Sequence, residues 1–303
     1  MTIQGRAPRP IRGWQVWWLA SRPKTLGAAI APVLMGTAMA MADGQAYLPH
    51  AVLALLIAVA LQIGTNFAND YFDYQHGVDN ERRLGPLRVT QAGLVRPETM
   101  RRAMVMVFGV AALGGLILAW RVSWWLLLVG GLAILSGVFY TAGPRPLGYL
   151  GLGDLFVLIF FGLVAMAGTY YVQAGHLNWP PVVMGLAPGL VSVALLTVNN
   201  LRDVETDRLT GKRTLAVRFG ARFARWEYVI CVVIACLLPP VVAAVLRDHL
   251  GTALTVVLLG VAARPIREIL QGVQGVSLNR VLAATNQLLI WHALLFSLGW
   301  LLS

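Results

Sequence analysis

The sequence NFANDYFDYQHGVD, at residues 66–79, ends an apolar run that begins near residue 51. It places Asn66, Asp70 and Asp73 three and four residues apart, so their side chains share one face if the segment is helical. Carboxylates are costly inside a bilayer and need a partner that compensates their charge. The motif therefore predicts a membrane helix with an oxygen-rich stripe at the end where it leaves the lipid.

A second sequence repeats this arrangement 133 residues further along the chain. It reads NNLRDVETDRLTGKRTL at residues 199–215 and places Asn199, Asp203 and Asp207 four residues apart, which again puts them on one face of a helix. A basic, glycine-containing loop follows each cluster. We interpret the two clusters as an internal repeat that ends the second and the sixth predicted membrane helices.

The composition is that of an integral membrane protein. Of the 303 residues, 58% are hydrophobic and 12% are charged, whereas soluble domains carry about 25% charged residues. Because a spanning helix needs about 20 apolar residues, little chain is left for a soluble domain. We predict a single all-α transmembrane domain over residues 1–303 with about nine membrane helices. The apolar runs fall near residues 25–41, 51–69, 103–120, 122–140, 155–172, 181–199, 228–246, 251–263 and 281–302.

Basic residues predict the orientation in the membrane. The N-terminus and every second loop together hold 22 of the 24 Lys and Arg residues, and Arg121 and Arg247 are the two exceptions. Positively charged loops stay in the cytoplasm, so we expect a cytoplasmic N-terminus and two acidic clusters that face the cytoplasm. The net charge of +11 then reflects topology and anionic lipid headgroups, and we predict no nucleic-acid partner.

The ligand types in the two clusters favour a hard cation. Their carboxylate and amide oxygens suit Mg²⁺ or Ca²⁺ and not zinc, because His and Cys are absent from both sets. Mg²⁺ commonly joins one or two carboxylates to substrate phosphates, so two facing stripes could hold two Mg²⁺ ions and one diphosphate. The alternative interpretation is a pair of capped helix ends with exposed carboxylates.

Basic side chains near the clusters could complete a diphosphate site, because guanidinium and ammonium groups donate to phosphate oxygens. We favour Arg22, Arg88 and Arg145, which lie in Pro- and Gly-containing segments close to helix ends. The alternative role for each is positive-inside anchoring. Asp154 opens another span, and its alternative role is an N-cap. The remaining candidates are Lys24, Arg82, Arg83, Lys212 and Arg213.

These motifs resemble the UbiA superfamily of intramembrane prenyltransferases. Within it, the chain is most similar to the branch that prenylates 1,4-dihydroxy-2-naphthoate in menaquinone biosynthesis. The resemblance covers residues 22–220, about two thirds of the chain. Besides the two acidic clusters, the matching strings are RPKTL at 22–26, PVLMGTA at 32–38, GPLRVTQAGLV at 85–95, and YTAGPRPLGYLGLGD at 140–154 followed by FFG.

The resemblance implies nine spans around a central cavity that opens sideways to lipid, with Mg²⁺ and a polyprenyl diphosphate. It also implies a diphosphate contact through Tyr140 and Arg145, beside which Pro144 replaces a frequent Lys that Lys212 could supply. Asp154 would contact the aromatic acceptor. The implied metal set is Asn66, Asp70, Asp73, Asn199, Asp203 and Asp207, with the four aspartates as the catalytic residues and with Arg22, Lys24, Arg88, Tyr140, Arg145 and Lys212 on the diphosphate.

The expected reaction is transfer of the polyprenyl group to 1,4-dihydroxy-2-naphthoate with loss of carbon dioxide, which gives demethylmenaquinone. The expected location is the cytoplasmic membrane, with the active site facing the cytoplasm. Other aromatic acceptors, such as 4-hydroxybenzoate or homogentisate, are the first alternative. A cation-coupled transporter is the second, because repeats and intramembrane acids also mark transporters. It is disfavoured because only Asp43 and Asp248 lie on the far side.

Overall fold

The computed structural model describes residues 13–77, 84–85 and 87–303, and this part of the chain is helical without any strand. Turns and short loops connect ten α-helices within the described residues. Their bounds are α1 Gly13–Ser21, α2 Gly27–Ala42, α3 Leu48–Gln75, α4 Pro97–Arg121, α5 Leu126–Phe139, α6 Gly153–Ala174, α7 Trp179–Leu209, α8 Leu215–Leu246, α9 Leu258–Leu270 and α10 Leu278–Leu301.

Six of these helices are long and apolar enough to cross a membrane, namely α3, α4, α6, α7, α8 and α10 with the turn that precedes it. The bent pair of α1 and α2, which meet at 56°, raises the number to seven. The structure therefore shows a multi-pass, all-helical membrane protein. All nine predicted apolar runs are helical, but the number of nine spans stays a prediction.

Two of the predicted runs form helices that fall short of the length of a span. Helix α5 has 14 residues, which at 1.5 Å per residue covers only about 21 Å. The run near residues 251–263 begins as the 3₁₀ helix Leu250–Val257 and continues as α9, which has 13 residues. The apolar pattern predicted the positions of both segments correctly. It did not predict that the first forms a helix of only 14 residues or that the second changes from a 3₁₀ helix to an α-helix.

Large apolar side chains cover the outside of the bundle. Leu113 on α4, Leu128 on α5 and Val245 on α8 are each more than 60% exposed. Exposed apolar surface of this extent is unusual for a soluble monomer and marks contact with another apolar phase, here the lipid. Cys231 and Cys236 lie buried in α8 as free thiols, as small apolar side chains do.

Small residues let α6 and α7 pack closely. A Cβ added to Gly162 in α6 would stand 2.5 Å from the carbonyl oxygen of Gly185 and 2.8 Å from Cα of Gly189, both in α7. Glycine is therefore required at this contact by space. Close approach of backbones at small residues is typical of helix pairs in membranes. It fixes α6 against the helix that carries the second acidic cluster.

We expect Gly162→Ala to destabilise the protein by about 1–3 kcal/mol, because the added methyl group meets backbone that cannot move aside. The measurement is thermal unfolding in detergent. Gly168→Ala on the same helix is the matched control, since a Cβ there meets nothing within 4 Å. Equal melting temperatures for the two variants would contradict this account of the contact.

Candidate active site

A cavity of about 540 Å³ lies among the C-terminal ends of α3 and α7, the bend between α1 and α2, and the loops that follow these helices. Polar and charged side chains form much of its wall. The acids and amides are Asn69, Asp73, Asn199, Asn200, Asp203 and Asp207, and the basic residues are Arg22, Lys24, Arg88, Arg202 and Lys212. The two acidic clusters therefore contribute to one cavity.

Asp73 is the carboxylate through which the first cluster reaches the cavity. It is 1% exposed, and its Oδ2 lies 2.6 Å from Nη2 of Arg88, which is also buried. Its Oδ1 accepts a hydrogen bond of 3.2 Å from the hydroxyl of Tyr149 and lies 3.8 Å from Nζ of Lys212. The Lys212 ammonium also stands 4.8 Å above the centre of the Tyr149 ring. The carboxylate of Asp73 thus interacts with two basic side chains, Arg88 and Lys212, which lie on two separate loops.

Asp70 and Asn66 are absent from the cavity wall and support it from behind. Asp70 is 2% exposed, and its two oxygens accept hydrogen bonds of 3.1 Å from the backbone N–H groups of Val89 and Thr90. It thereby anchors the loop that carries Arg88. Asn66 donates a hydrogen bond of 2.9 Å to the carbonyl oxygen of Ser21, at the bend between α1 and α2.

The geometry of α3 explains this division within the first cluster. At 100° per residue, Asn69 and Asp73 lie on one side of the stripe, whereas Asn66 and Asp70 lie on the other. The first side faces the cavity, and the second packs against the loop and the bend. Asn69, which the sequence analysis did not single out, accepts a hydrogen bond of 3.0 Å from Thr141. Asn69 lies four residues before Asp73, and this spacing could have predicted that both side chains share one face of the helix.

All three predicted residues of the second cluster, Asn199, Asp203 and Asp207, line the cavity. Asp203 forms a two-pronged ion pair with Arg202, with an Nε–Oδ1 distance of 2.9 Å and an Nη2–Oδ2 distance of 2.7 Å. Arg202 also donates a hydrogen bond of 2.9 Å to Oδ1 of Asn279 on α10. Sequence analysis missed Arg202 because neighbouring residues point about 100° apart on a helix, which argues against a contact.

The predicted basic and phenolic contacts divide into two groups. Arg22, Lys24, Arg88, Lys212 and Tyr140 line the cavity. Arg145 does not: it is exposed at the tip of a loop closed by hydrogen bonds of 3.0 Å from Leu147 N–H to Phe139 O and from Gly148 N–H to Tyr140 O. The geometry thus gives no support to the expected diphosphate contact of Arg145. Arg82 and Arg83 lie outside the described residues.

Tyr140 can act as a hydrogen-bond donor at the cavity wall. Burial raises the pKa of its phenol above the ordinary value, and the neighbouring carboxylates of Asp154, Asp207 and Asp73 raise it further. Both effects disfavour the phenolate, so the hydroxyl keeps its proton at physiological pH. Asp154 itself is buried in the first turn of α6 and is not part of the cavity wall.

The donor atoms around the cavity fit Mg²⁺. Asp73, Asn199, Asp203 and Asp207 offer carboxylate and amide oxygens on the wall of one cavity, and the described wall contains no His, Cys or Met. Within residues 13–77, 84–85 and 87–303 there is no group of three or more His, Cys, Asp or Glu that forms a metal cage by itself. Mg²⁺ does not require one, because it commonly uses one or two carboxylates together with water and substrate phosphates.

The fold and the site define a helical membrane protein with a polar, cation- and carboxylate-lined cavity, and comparison with known proteins identifies its class. The pattern of the UbiA prenyltransferase family matches residues 29–280. The chain therefore belongs to the UbiA prenyltransferase family, as its motifs predicted, and it is a prenyltransferase of the membrane.

Two relatives illustrate the similarity in sequence. The chain is 43% identical over 212 residues to 1,4-dihydroxy-2-naphthoate octaprenyltransferase of Mycobacterium tuberculosis, covering 70% of this chain and 72% of the relative. It is 36% identical over 296 residues to the enzyme of the same name from Haemophilus influenzae, covering 95% and 96%.

A solved structure shows the same fold at low sequence identity. This is a UbiA homologue from Archaeoglobus fulgidus bound to GPP and Mg²⁺, with a TM-score of 0.69 and 13% identity. The match covers 95% of this chain and all of that one, so the whole described bundle has the UbiA fold.

We expect Asp70→Asn to loosen the loop that carries Arg88. An amide offers one acceptor oxygen in place of two and turns its NH₂ group toward a backbone donor. The expected result is faster hydrogen–deuterium exchange in the segment that contains Val89 and Thr90, by about tenfold or more, since each lost bond to a carboxylate is worth about 1.5–3 kcal/mol. Unchanged exchange would contradict the anchoring role. Glu205→Gln, at an exposed position on α7, is the control.

Proposed function

We propose that the protein transfers a polyprenyl group from a polyprenyl diphosphate to 1,4-dihydroxy-2-naphthoate with loss of carbon dioxide, which gives demethylmenaquinone. The relatives that span most of this chain carry the name of this activity. The observation that carries the proposal is the single cavity in which Asp73 on α3 meets Asn199, Asp203 and Asp207 on α7. A metal-bound diphosphate needs oxygen ligands for the metal ion and basic side chains for the phosphate oxygens, and this cavity contains both.

The chain's basic and phenolic groups would bind the diphosphate. Arg22 and Lys24 approach from the bend before α2, Arg88 from the loop after α3, and Lys212 from the loop after α7. Their N–H groups donate to phosphate oxygens, and the neutral Tyr140 hydroxyl adds one more donor. These donors stabilise the negative charge that develops on the leaving group when the allylic C–O bond breaks.

Mg²⁺, held by Asp73 on one side and by Asn199, Asp203 and Asp207 on the other, would neutralise the diphosphate and make it a better leaving group. Asn66 and Asp70, expected from the resemblance to belong to the metal set, would act in the described geometry by holding the bend and the Arg88 loop.

The bond changes of the reaction are simple to balance. The C–O bond between the prenyl carbon and diphosphate breaks, and a C–C bond to the naphthoate ring forms. The bond from the ring to its carboxylate carbon breaks to release carbon dioxide. The immediate product keeps both ring hydroxyls and is the hydroquinone form of demethylmenaquinone.

We further propose a single domain over residues 1–303 with nine spans, a cytoplasmic N-terminus, and a cavity mouth that faces the cytoplasm from the cytoplasmic membrane. The basic residues of alternate loops support this orientation. The 3₁₀ helix Leu250–Val257 and α9 together cover about 35 Å, which is enough for a span. A soluble naphthoate would then enter from the cytoplasm, and the prenyl tail would extend between helices toward lipid.

Purified protein supplied with a polyprenyl diphosphate should prenylate 1,4-dihydroxy-2-naphthoate and leave 4-hydroxybenzoate and homogentisate almost unchanged. Mass spectrometry of the lipid products is the measurement. EDTA should abolish turnover, because the charge of the diphosphate is then no longer compensated by a metal ion. Added Mg²⁺ should restore turnover. A product with another acceptor and none with the naphthoate would overturn the proposed substrate. Metal-independent turnover would overturn the proposed cofactor.

Asp203→Asn and Asp207→Asn should each lower kcat by about 100-fold or more, because each removes a charge that faces the metal–diphosphate pair. Insertion into the membrane should be unchanged in both variants. Asp203→Asn should also lower the melting temperature in detergent, because it leaves the buried guanidinium of Arg202 without its carboxylate. Glu205→Gln lies between the two on the same helix but is exposed, so it should retain wild-type activity. Retained prenyl transfer in both aspartate variants would refute their assignment to the active site.

A further inference from the structure

Tyr149, which the sequence analysis did not single out, lies on the cavity wall where two loops meet. The first loop, residues 140–152, joins α5 to α6, and the second, residues 210–214, joins α7 to α8. The backbone N–H of Arg213 donates a hydrogen bond of 2.9 Å to the carbonyl oxygen of Tyr149. A Cβ on Gly151, whose φ is +72°, would stand 2.7 Å from the carbonyl oxygen of Arg213. The two loops are therefore in direct backbone contact beside the cavity.

The hydroxyl of Tyr149 connects these loops to α3. It donates a hydrogen bond of 3.2 Å to Oδ1 of Asp73, whose Oδ2 is 2.6 Å from Nη2 of Arg88. Each carboxylate oxygen has two lone pairs, and these two bonds use one lone pair on each oxygen. Asp73 is thereby held in one orientation, and each of its oxygens keeps a lone pair for a metal ion.

The ring of Tyr149 determines where the ammonium group of Lys212 lies. Nζ of Lys212 is 4.8 Å from the ring centre, within the distance of about 6 Å at which an aromatic face attracts a cation. Its distance of 3.8 Å from Oδ1 of Asp73 is that of an ion pair and is too long for a hydrogen bond. The N–H groups of Lys212 are therefore not committed to Asp73 and can donate to a ligand.

Holding a lysine in place has an energetic consequence for binding. A lysine side chain is flexible, and ordering it at the moment of binding costs conformational entropy that weakens the complex. Here the Lys212 side chain is already packed, with only 15% of it exposed, although it belongs to a loop. The aromatic face of Tyr149 thus places a cation on the cavity wall in the absence of any ligand.

We propose that Tyr149 is a positioning residue for the diphosphate. Its ring places the Lys212 ammonium group on the cavity wall, and its hydroxyl joins the two loops to Asp73. This inference rests on the proposed function, because it assigns the residue that prepares Lys212 for a phosphate oxygen. Tyr149 acts through Lys212 and Asp73 and takes no part in the bond changes.

Two variants separate the hydroxyl from the ring. Tyr149→Phe keeps a ring for the cation and removes the hydroxyl, whereas Tyr149→Leu removes both. Hydrogen–deuterium exchange of the ligand-free full chain in detergent reports on the hydroxyl through the amide of Arg213. We expect exchange in the segment that contains this amide to be about 3- to 10-fold faster in both variants, because each loses the hydrogen bond that ties residues 140–152 to Asp73.

Affinity for the diphosphate reports on the ring. The Kd of a non-cleavable prenyl thiolodiphosphate is measured by titration calorimetry with Mg²⁺. We expect Tyr149→Leu to bind it about 3- to 30-fold more weakly, as for the loss of a cation–π contact, and Tyr149→Phe to stay within about twofold of the wild type. Lys212→Met should bind about 10-fold more weakly or worse. Adding Tyr149→Leu to Lys212→Met should weaken binding by less than about twofold more, because the ring then has no cation to place.

Tyr74→Phe and Tyr74→Leu are the matched controls, because Tyr74 follows Asp73 in the sequence but is exposed. Both should keep wild-type exchange and wild-type affinity. Wild-type affinity in Tyr149→Leu, an equal loss in Tyr149→Phe, or additive losses with Lys212→Met would overturn the role of the ring. Wild-type exchange in both Tyr149 variants would overturn the role of the hydroxyl. Should Tyr149→Leu fail to fold, Tyr149→Met takes its place with the same expected results.

Failure of the proposed function gives a different result. If the wild type binds no prenyl thiolodiphosphate, the diphosphate assignment is wrong, and the role of Tyr149 in positioning Lys212 for it fails as well. If the wild type binds the compound and Tyr149→Leu binds it equally well, only the role of Tyr149 is wrong.

Discussion

The structure depends on how negative charge is compensated where α3 and α7 leave the membrane. Asp73 is almost fully buried and is paired with Arg88 at 2.6 Å and with Lys212 at 3.8 Å. Breaking such a pair leaves an uncompensated buried charge, which is strongly destabilising. The loops after both helices are therefore held over the cavity by the same carboxylate that would face the metal. Binding of the diphosphate would engage groups that the folded protein has already brought together.

The remaining polar residues of the first motif make this arrangement rigid. Asp70 fixes the loop of Arg88 through two backbone N–H groups, and Asn66 fixes the bend that carries Arg22. Second-layer contacts of this kind hold functional side chains in place before the ligand arrives.

The sequence was sufficient for the general architecture, because membrane helices and repeated acidic motifs are local signals. The nine apolar runs are helical, and Asp73, Asn199, Asp203 and Asp207 share one cavity. The division of the first stripe could not be predicted, because it depends on which side of α3 meets the loops. The exposed position of Arg145 follows from a loop closure between residues 139–148 that leaves no periodic pattern.

Contacts between segments that are distant along the chain could not be predicted from the sequence either. Arg202 reaches Asn279 on α10, and Asn279 in turn donates to the carbonyl oxygen of Leu84 at 3.3 Å. These partners are separated by 77 and 195 residues, and neither separation has a signature in composition or spacing. The short length of α5 likewise depends on turns at both of its ends, and not on its apolar content.

The most direct test is an experimental structure of the full chain with Mg²⁺ and a prenyl thiolodiphosphate. The account predicts one diphosphate in the cavity, with metal density that joins it to oxygens of Asp73 on α3 and of Asp203 or Asp207 on α7. A diphosphate held by only one of these helices, or bound at a separate position, would contradict it.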